Sequence, residues 1–289
     1  MAATVSVVMP CWEEAAFLGE AAASVLAVRG VETELILVDD GSRDPGFLRA
    51  FEAVEGPRVR KLHVPHGGPA AARNAGIRAA EGQYILPLDA DDCLEADFPA
   101  LAAEVLRTRP EVGVVSCRPV FMGARSGPWE LPEPTPANMA VDSCIPVTAL
   151  FRRTDWEAAG GFREDLTMGL EDYDFFLSLM ECGLTCERLP VTGFRYRVKE
   201  TSRSTLLEAD PGAVRAAYDR IWQRHRAFLL AHMDEAWPAL RTRTLTEGRA
   251  LHGFLADPVT AHWHALRQKG GVRIRLMDGL LRLKARLRG

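Results

Sequence analysis

An α/β fold, with a mostly parallel sheet covered by helices on both faces, is predicted by two features of this 289-residue chain. Short apolar runs alternate with stretches of helical periodicity from Val5 to Cys117. Acidic residues gather where those runs end, at Asp39-Asp40 and at Asp89, Asp91 and Asp92. In an open α/β sheet, that edge of the strands is where ligands bind.

The elements follow in order. Val5 to Met9 reads as a strand ended by Pro10, and Ala15 to Val28 as a helix with Phe17, Leu18, Ala21, Val25 and Val28 on its apolar face. Glu34 to Val38 is a strand, Phe47 to Val54 a helix, Val59 to Val64 a strand and Ala70 to Ala80 a helix entered through Gly67-Gly68, which permit a tight turn. Tyr84 to Leu88 is a buried strand, followed by a helix from about Phe98 through Leu106 and a strand from Val112 to Cys117. From Arg118 to Ile145 prolines and glycines support loops and no long element. A loop of that length in a compact domain is usually functional. Thr148 to Phe151 suits a strand, Thr154 the N-cap of a short helix ending at Gly160-Gly161, and Tyr173 to Met180 a buried helix with Glu171-Asp172 at its start. The expected organisation is a domain over 1–209 and a helical region over 210–289. That region ends in an amphipathic segment, Val272 to Leu287, whose apolar face carries Leu276, Leu280, Leu283 and Leu287 and whose other face carries Arg275, Arg282 and Arg286. Peripheral contact with anionic lipid and packing on protein are both open for it.

A hydrophobic content of 47% supports a sizeable core. The net charge of −4 hides a division: the first 209 residues sum to −12 and the remainder to +8. An acidic body argues against nucleic acid as a partner. The six cysteines form no C-x-x-C pair, so they read as reduced thiols and not as a metal site. The N-terminal apolar run stops at Pro10 without a charged leader, and no window approaches the ~20 apolar residues of a membrane span. The expected location is cytoplasmic, with the tail segment as the one candidate for peripheral membrane contact.

Carboxylates as close as Asp89, Asp91 and Asp92 repel one another. A hard divalent cation would settle them, and the competing reading is an acidic turn that caps the helix near Phe98. Two further acidic clusters at element ends, Asp39-Asp40 and Glu171-Asp172, favour a site for a cation and its anionic partner.

The sequence resembles the family 2 glycosyltransferases of the GT-A fold, a Rossmann-like nucleotide-diphospho-sugar transferase architecture. The matching segments are Val5 to Glu14, Val38-Asp39-Asp40-Gly41-Ser42, Ala72-Arg73-Asn74-Ala75-Gly76 with Ala80-Glu81-Gly82, Leu88-Asp89-Ala90-Asp91-Asp92, Gly160-Gly161-Phe162 and Glu171-Asp172. The resemblance implies an inverting transfer of a sugar from a nucleotide diphosphate, UDP or dTDP favoured, to a hydroxyl of a glycan, lipid-linked or other acceptor. It places Pro10, Trp12, Glu14, Asp40, Arg73, Asp89, Ala90, Glu171 and Lys199 around the nucleotide sugar. Asp91 with Asp89 would hold Mn2+ or Mg2+, and Asp172 would be the general base. Residue by residue, Trp12 has the alternative of a core position, and Arg73 that of a pair with Glu81. The family often places a metal-ligating His after a Tyr-Arg pair; here Tyr196-Arg197-Val198 is followed by Lys199, and a protonated lysine has no lone pair. A catalytically silent nucleotide-sugar binder of the same fold is one competing function. A nucleotidyltransferase is the other, and it lacks its Gly-rich basic loop after the first strand.

Overall fold

The computed structural model describes residues 4–167, 169–199 and 211–238. Strands Thr4–Cys11 (β1), Glu32–Asp39 (β2), Val59–His63 (β3) and Tyr84–Pro87 (β4) alternate with helices Leu18–Leu26 (α1), Pro45–Ala53 (α2) and Pro69–Ala79 (α3). Then come Cys93–Leu94 (β5), Phe98–Thr108 (α4), Val112–Gly123 (β6), Gly127–Pro128 (β7), Pro136–Met139 (α5), Leu150–Arg152 (β8), Arg153–Ala159 (α6), Glu171–Glu181 (α7) and Thr185–Val198 (β9). Helix Pro211–Ala231 (α8) follows and bends at His225.

The sheet runs β3-β2-β1-β4-β8-β6-β9-β5, with β7 paired to β6. The β3-β2-β1-β4 half is wholly parallel, and β6 pairs with β9 in parallel too. Each antiparallel ladder is short, two residue pairs long, so most of the paired length is parallel.

Strand periodicity assigns the two cores. Val5, Val7 and Met9 of β1, Leu35 and Leu37 of β2 and Leu86 of β4 pack with α1, α2 and α4. Their neighbours Val8, Ile36, Val38 and Ile85 pack on the other side with α3, α6, α7 and α8. Gly76 lets α3 lie flat on the sheet: a Cβ there would come 2.4 Å from Val8 Cγ1 and 2.9 Å from Val38 Cγ2. That close approach fixes Arg73 and Asn74, one turn earlier, over the strand ends. Helix α8 shares the core of α7 through Ala217, Ile221 and Leu229. The 209/210 boundary and the 272–287 segment lie outside the described residues.

Several local expectations are corrected. Pro10 does not end β1: the strand continues to Cys11, with Pro10 opposite Val38. Helix α1 begins at Leu18, since Ala16 and Phe17 form a turn ahead of it. Arg152, not Thr154, is the N-cap of α6, because β8 runs straight into the helix. The strand predicted to stop at Cys117 extends to Gly123, with β9 beside it.

Candidate active site

Because β1, β2 and β4 are parallel, the residues that follow them share one edge of the sheet. Trp12 stands there 56% exposed, which removes the core alternative, and its ring stacks on His66 with centroids 4.9 Å apart. Glu13 latches the loop after β1 to the one after β2: its carboxylate accepts from the Arg43 N–H at 2.6 Å and the Asp44 N–H at 3.1 Å. Its φ of 56° is in the left-handed region, a strain sustained by those bonds.

Asp39 and Asp40, at the end of β2, are buried. Asp39 accepts the Ser42 N–H at 2.9 Å and contacts His63 Nδ1 at 2.9 Å. Burial pushes its carboxyl upward, but the His63 and Ser42 hydrogen bonds outweigh burial and leave it below its ordinary value. Asp40 accepts the N–H groups of Gly67 and Gly68 at 2.8 and 2.9 Å, so these glycines do more than turn the chain. Gly41, at φ 72°, allows that packing; a Cβ there would sit 2.8 Å from His66 N.

Beyond β4 the acids are met differently. Asp89 accepts from Arg73 Nη2 at 2.7 Å, and the same buried guanidinium donates through Nη1 to Glu171 at 2.6 Å. Glu81 pairs with Arg60 at 3.2 Å, so the Arg73–Glu81 alternative is set aside. Burial lowers the Arg73 pKa, yet Asp89 and Glu171 more than reverse this and keep it charged. Asp91 meets the Lys199 ammonium at 2.7 Å, and Lys199 also pairs with Glu14. Asp92 is buried and accepts the Arg197 N–H at 2.8 Å, while Arg197 Nε donates to the Asp91 carbonyl at 2.7 Å. None of these bonds is to the N-terminus of α4, whose N-cap is Asp97. The capping reading therefore fails for this triad. Ala90 is half-buried between the two acids and packs on the α1/α2/α4 core.

Burial, then the charge of Asp89, raises Asp91; burial, Asp89 and Asp91 raise Asp92 well above its ordinary value. Lys199 beside Asp91 and Arg197 beside Asp92 pull the other way without cancelling that rise. Among the described residues no group of three or more His, Cys, Asp or Glu side chains gathers to cage a cation. In chemistry the oxygen donors Asp91 and Asp89 suit Mg2+ or Mn2+, ions held elsewhere by one or two carboxylates and completed by substrate phosphates.

At the start of α7, Asp172 is half-buried and accepts the Tyr173 N–H at 2.8 Å. The residue at the N-cap position, Leu170, adopts φ 68° and makes no side-chain cap. Burial, then Glu171, pushes Asp172 up to about 6, against a smaller lowering by Arg73. Gly160-Gly161-Phe162 packs against α3. Asn74 Oδ1 accepts the Phe162 N–H at 3.0 Å, and the Phe162 ring lies under the Arg73 guanidinium at 5.8 Å. Through Arg73 of α3 the structure thus joins the acid after β4, Asp89, to Glu171 of α7, and through Lys199 it joins the β1, β4 and β9 ends. Glu13, His66 and Arg197 are the site-edge residues that sequence reasoning gave no role. The signal for Glu13 was available in its place within the Val5-to-Glu14 segment.

Known proteins align with this arrangement. A succinoglycan biosynthesis protein, ExoO of Rhizobium meliloti, is 30% identical over 243 residues, covering 77% of this chain and 69% of that one. The chondroitin synthase of Pasteurella multocida is 31% identical over 186 residues, 62% of this chain but 19% of the synthase. Among solved structures, S. aureus TarS 1-349 in complex with UDP-GlcNAc matches with a TM-score of 0.63 at 17% identity, covering 88% of this chain and 78% of that one. That likeness is one of fold, and it agrees with the expected GT-A architecture. No helix among the described residues is long and apolar enough to cross a membrane. With the family model for glycosyl transferase family 2 matched over residues 6–159, the chain belongs to that family and is a glycosyltransferase.

Proposed function

We propose that the donor is a nucleoside diphosphate sugar, UDP- or dTDP-linked, and that the sugar passes with inversion to a hydroxyl of a glycan or lipid-linked acceptor. Support for the donor comes from the fold likeness to TarS, solved in complex with UDP and with UDP-GlcNAc. Support for a glycan acceptor comes from relatives named for succinoglycan, chondroitin and hyaluronan. The single observation that carries the mechanism is Asp172, a half-buried carboxyl raised to about 6 and tied through Glu171 and Arg73 to the acids after β4.

A carboxyl near 6 is ionised at neutral pH yet basic enough to take a proton, which suits a general base. Asp172 accepts the proton of the acceptor hydroxyl as that oxygen bonds to the anomeric carbon, and the bond from carbon to the diphosphate oxygen breaks. The exposed Trp12 ring, with His66 behind it, offers a stacking face for the base. Pro10 and Asp40 define the adjoining strand ends, and Asp40 retains lone pairs beyond those given to Gly67 and Gly68. Asp89 and Asp91 would hold a divalent cation, which would supply Lewis-acid neutralisation of the departing diphosphate. Arg73 holds Asp89 and Glu171 in place.

The test is transfer from a panel of nucleotide sugars by wild type and Asp172→Asn. Loss of ~10² to 10⁴ in rate with donor affinity retained is the expected result. Near-normal turnover removes Asp172 from the chemistry, and donor binding without turnover by the wild type with any acceptor favours a silent binder.

A further inference from the structure

Among the described residues three cations face the acids after β4, and two are committed to the fold. Arg73 is buried between Asp89 and Glu171. Arg197 lies over the Phe17 ring at 4.1 Å and holds Glu20 and the Asp91 carbonyl. Lys199 differs. It sits one residue past the end of β9, half-buried, with its ammonium between Asp91 and Glu14.

That placement has a chemical consequence. An ammonium offers three N–H donors and no lone pair, so it cannot be a metal ligand. At 2.7 Å from Asp91 it engages a carboxylate oxygen that a divalent cation would use. A dication arriving beside it meets both an occupied ligand and a like charge. Lysine is, however, a point charge on a flexible four-carbon stem, able to change partner without moving the backbone. A diphosphate brings the anionic oxygens that would give the ammonium a new partner, and it completes a coordination sphere that the protein alone leaves short.

We propose that Lys199 is a tethered counter-ion that holds Asp91 in the unliganded enzyme, so that a divalent cation is retained only together with a nucleoside diphosphate, to which the ammonium transfers. The exchange rests on the nucleotide-sugar reading of the site; the hold of Lys199 on Asp91 does not. Lys199 is here a positioning residue, and no covalent step is assigned to it.

The experiment is a Mn2+ titration of the full chain, followed by the paramagnetic resonance of free Mn2+, first without nucleotide. Lys199→Met and Lys199→Gln, either of which carries the test once its melting curve shows a folded protein, are expected to bind Mn2+ at least about tenfold tighter than wild type. That factor corresponds to releasing one charge-assisted contact. Lys199→Arg, which keeps the charge, should stay near wild type. Equal Mn2+ affinity in wild type and the neutral variants overturns the proposal. In the second arm, UDP should tighten Mn2+ binding to wild type by a similar factor and add less in Lys199→Met. A wild type that binds UDP yet holds Mn2+ no tighter overturns the exchange. Tightening in the neutral variants with no UDP binding by calorimetry upholds the grip of Lys199 on Asp91 and counts against the UDP donor instead.

Discussion

At the end of β2, Asp39 and Asp40 are met by backbone N–H groups and by the imidazoles of His63 and His66, whereas after β4 Asp89 and Asp91 are met by charged side chains and Asp92 by the Arg197 N–H of β9. Asp40 takes both its backbone partners 27 and 28 residues away; Asp92 takes Arg197, 105 residues away, and Glu171 takes Arg73, 98 residues away. The electrostatic outcomes are opposite. Asp39 is buried yet held below its ordinary value, while Asp91, Asp92 and Asp172 are raised, by burial first and then by neighbouring acids. Acids met by fixed dipoles are held in place by the fold, and acids crowded with other acids have their charged form disfavoured. The difference separates a scaffolding wall of the site from its reactive centre, although the sequence shows paired aspartates in both places.

The largest effect on stability should come from the bridge between the regions of the site. Arg73→Met leaves Glu171 buried without its cation, and breaking a buried pair from one side costs about 3–5 kcal/mol. Urea unfolding of the variant measures it. A loss below about 1 kcal/mol would mean that Asp89 and Glu171 are satisfied without Arg73, and the contrast with Asp40 would blur.

A smaller pair of effects sets the two strand ends against each other directly. Asp40→Ala strands the N–H groups of Gly67 and Gly68 and should destabilise by about 1–3 kcal/mol, with faster hydrogen exchange at those two amides. Asp91→Asn removes a charge that burial and then Asp89 disfavour by more than Lys199 favours it, and it leaves Lys199 its Glu14 partner, so in the absence of ligand its stability should equal or exceed wild type. If both substitutions destabilise alike, the division into scaffold and site is wrong.

How much of this was legible follows from where each signal resides. Strands β1 to β4 and helices α1 to α4 announce themselves because each contains its own periodicity within a dozen residues. β9 does not: its 14 residues include Pro190 and Gly193, and its register against β6 shifts between Ser116 and Arg118 and again before Val120, so no clean alternation survives. Its absence from the sequence reading hid Arg197 and left Lys199, placed near the nucleotide sugar in lieu of a histidine, without its partners Asp91 and Glu14. The acids of the site were legible as motifs. Their partners were not, because Lys199 reaches Glu14 across 185 residues and no local pattern encodes a contact of that range.

The most finely graded consequence concerns pH, and the two regions should titrate with opposite sign. Asp39, lowered in the folded protein, contributes stability that is present at neutral pH and lost only as pH falls through its depressed value. Asp172, raised to about 6, works the other way: the fold favours its protonated form, so its contribution is fully present below the unfolded value and disappears as pH rises through about 6. As a base it must be ionised. Turnover should therefore rise with pH through about 6 and, at pH 5, stand about tenfold below its plateau, one unit under the titration. In Asp172→Asn the residual rate should lose that limb, and the variant should melt above wild type at pH 8 by a margin that shrinks toward pH 5. The measurements are a pH–rate profile from pH 5 to 8 and parallel melting curves for both proteins. A limb retained in Asp172→Asn would assign the titration to another acid of the cluster, Asp91 or Asp92, and would move the base with it.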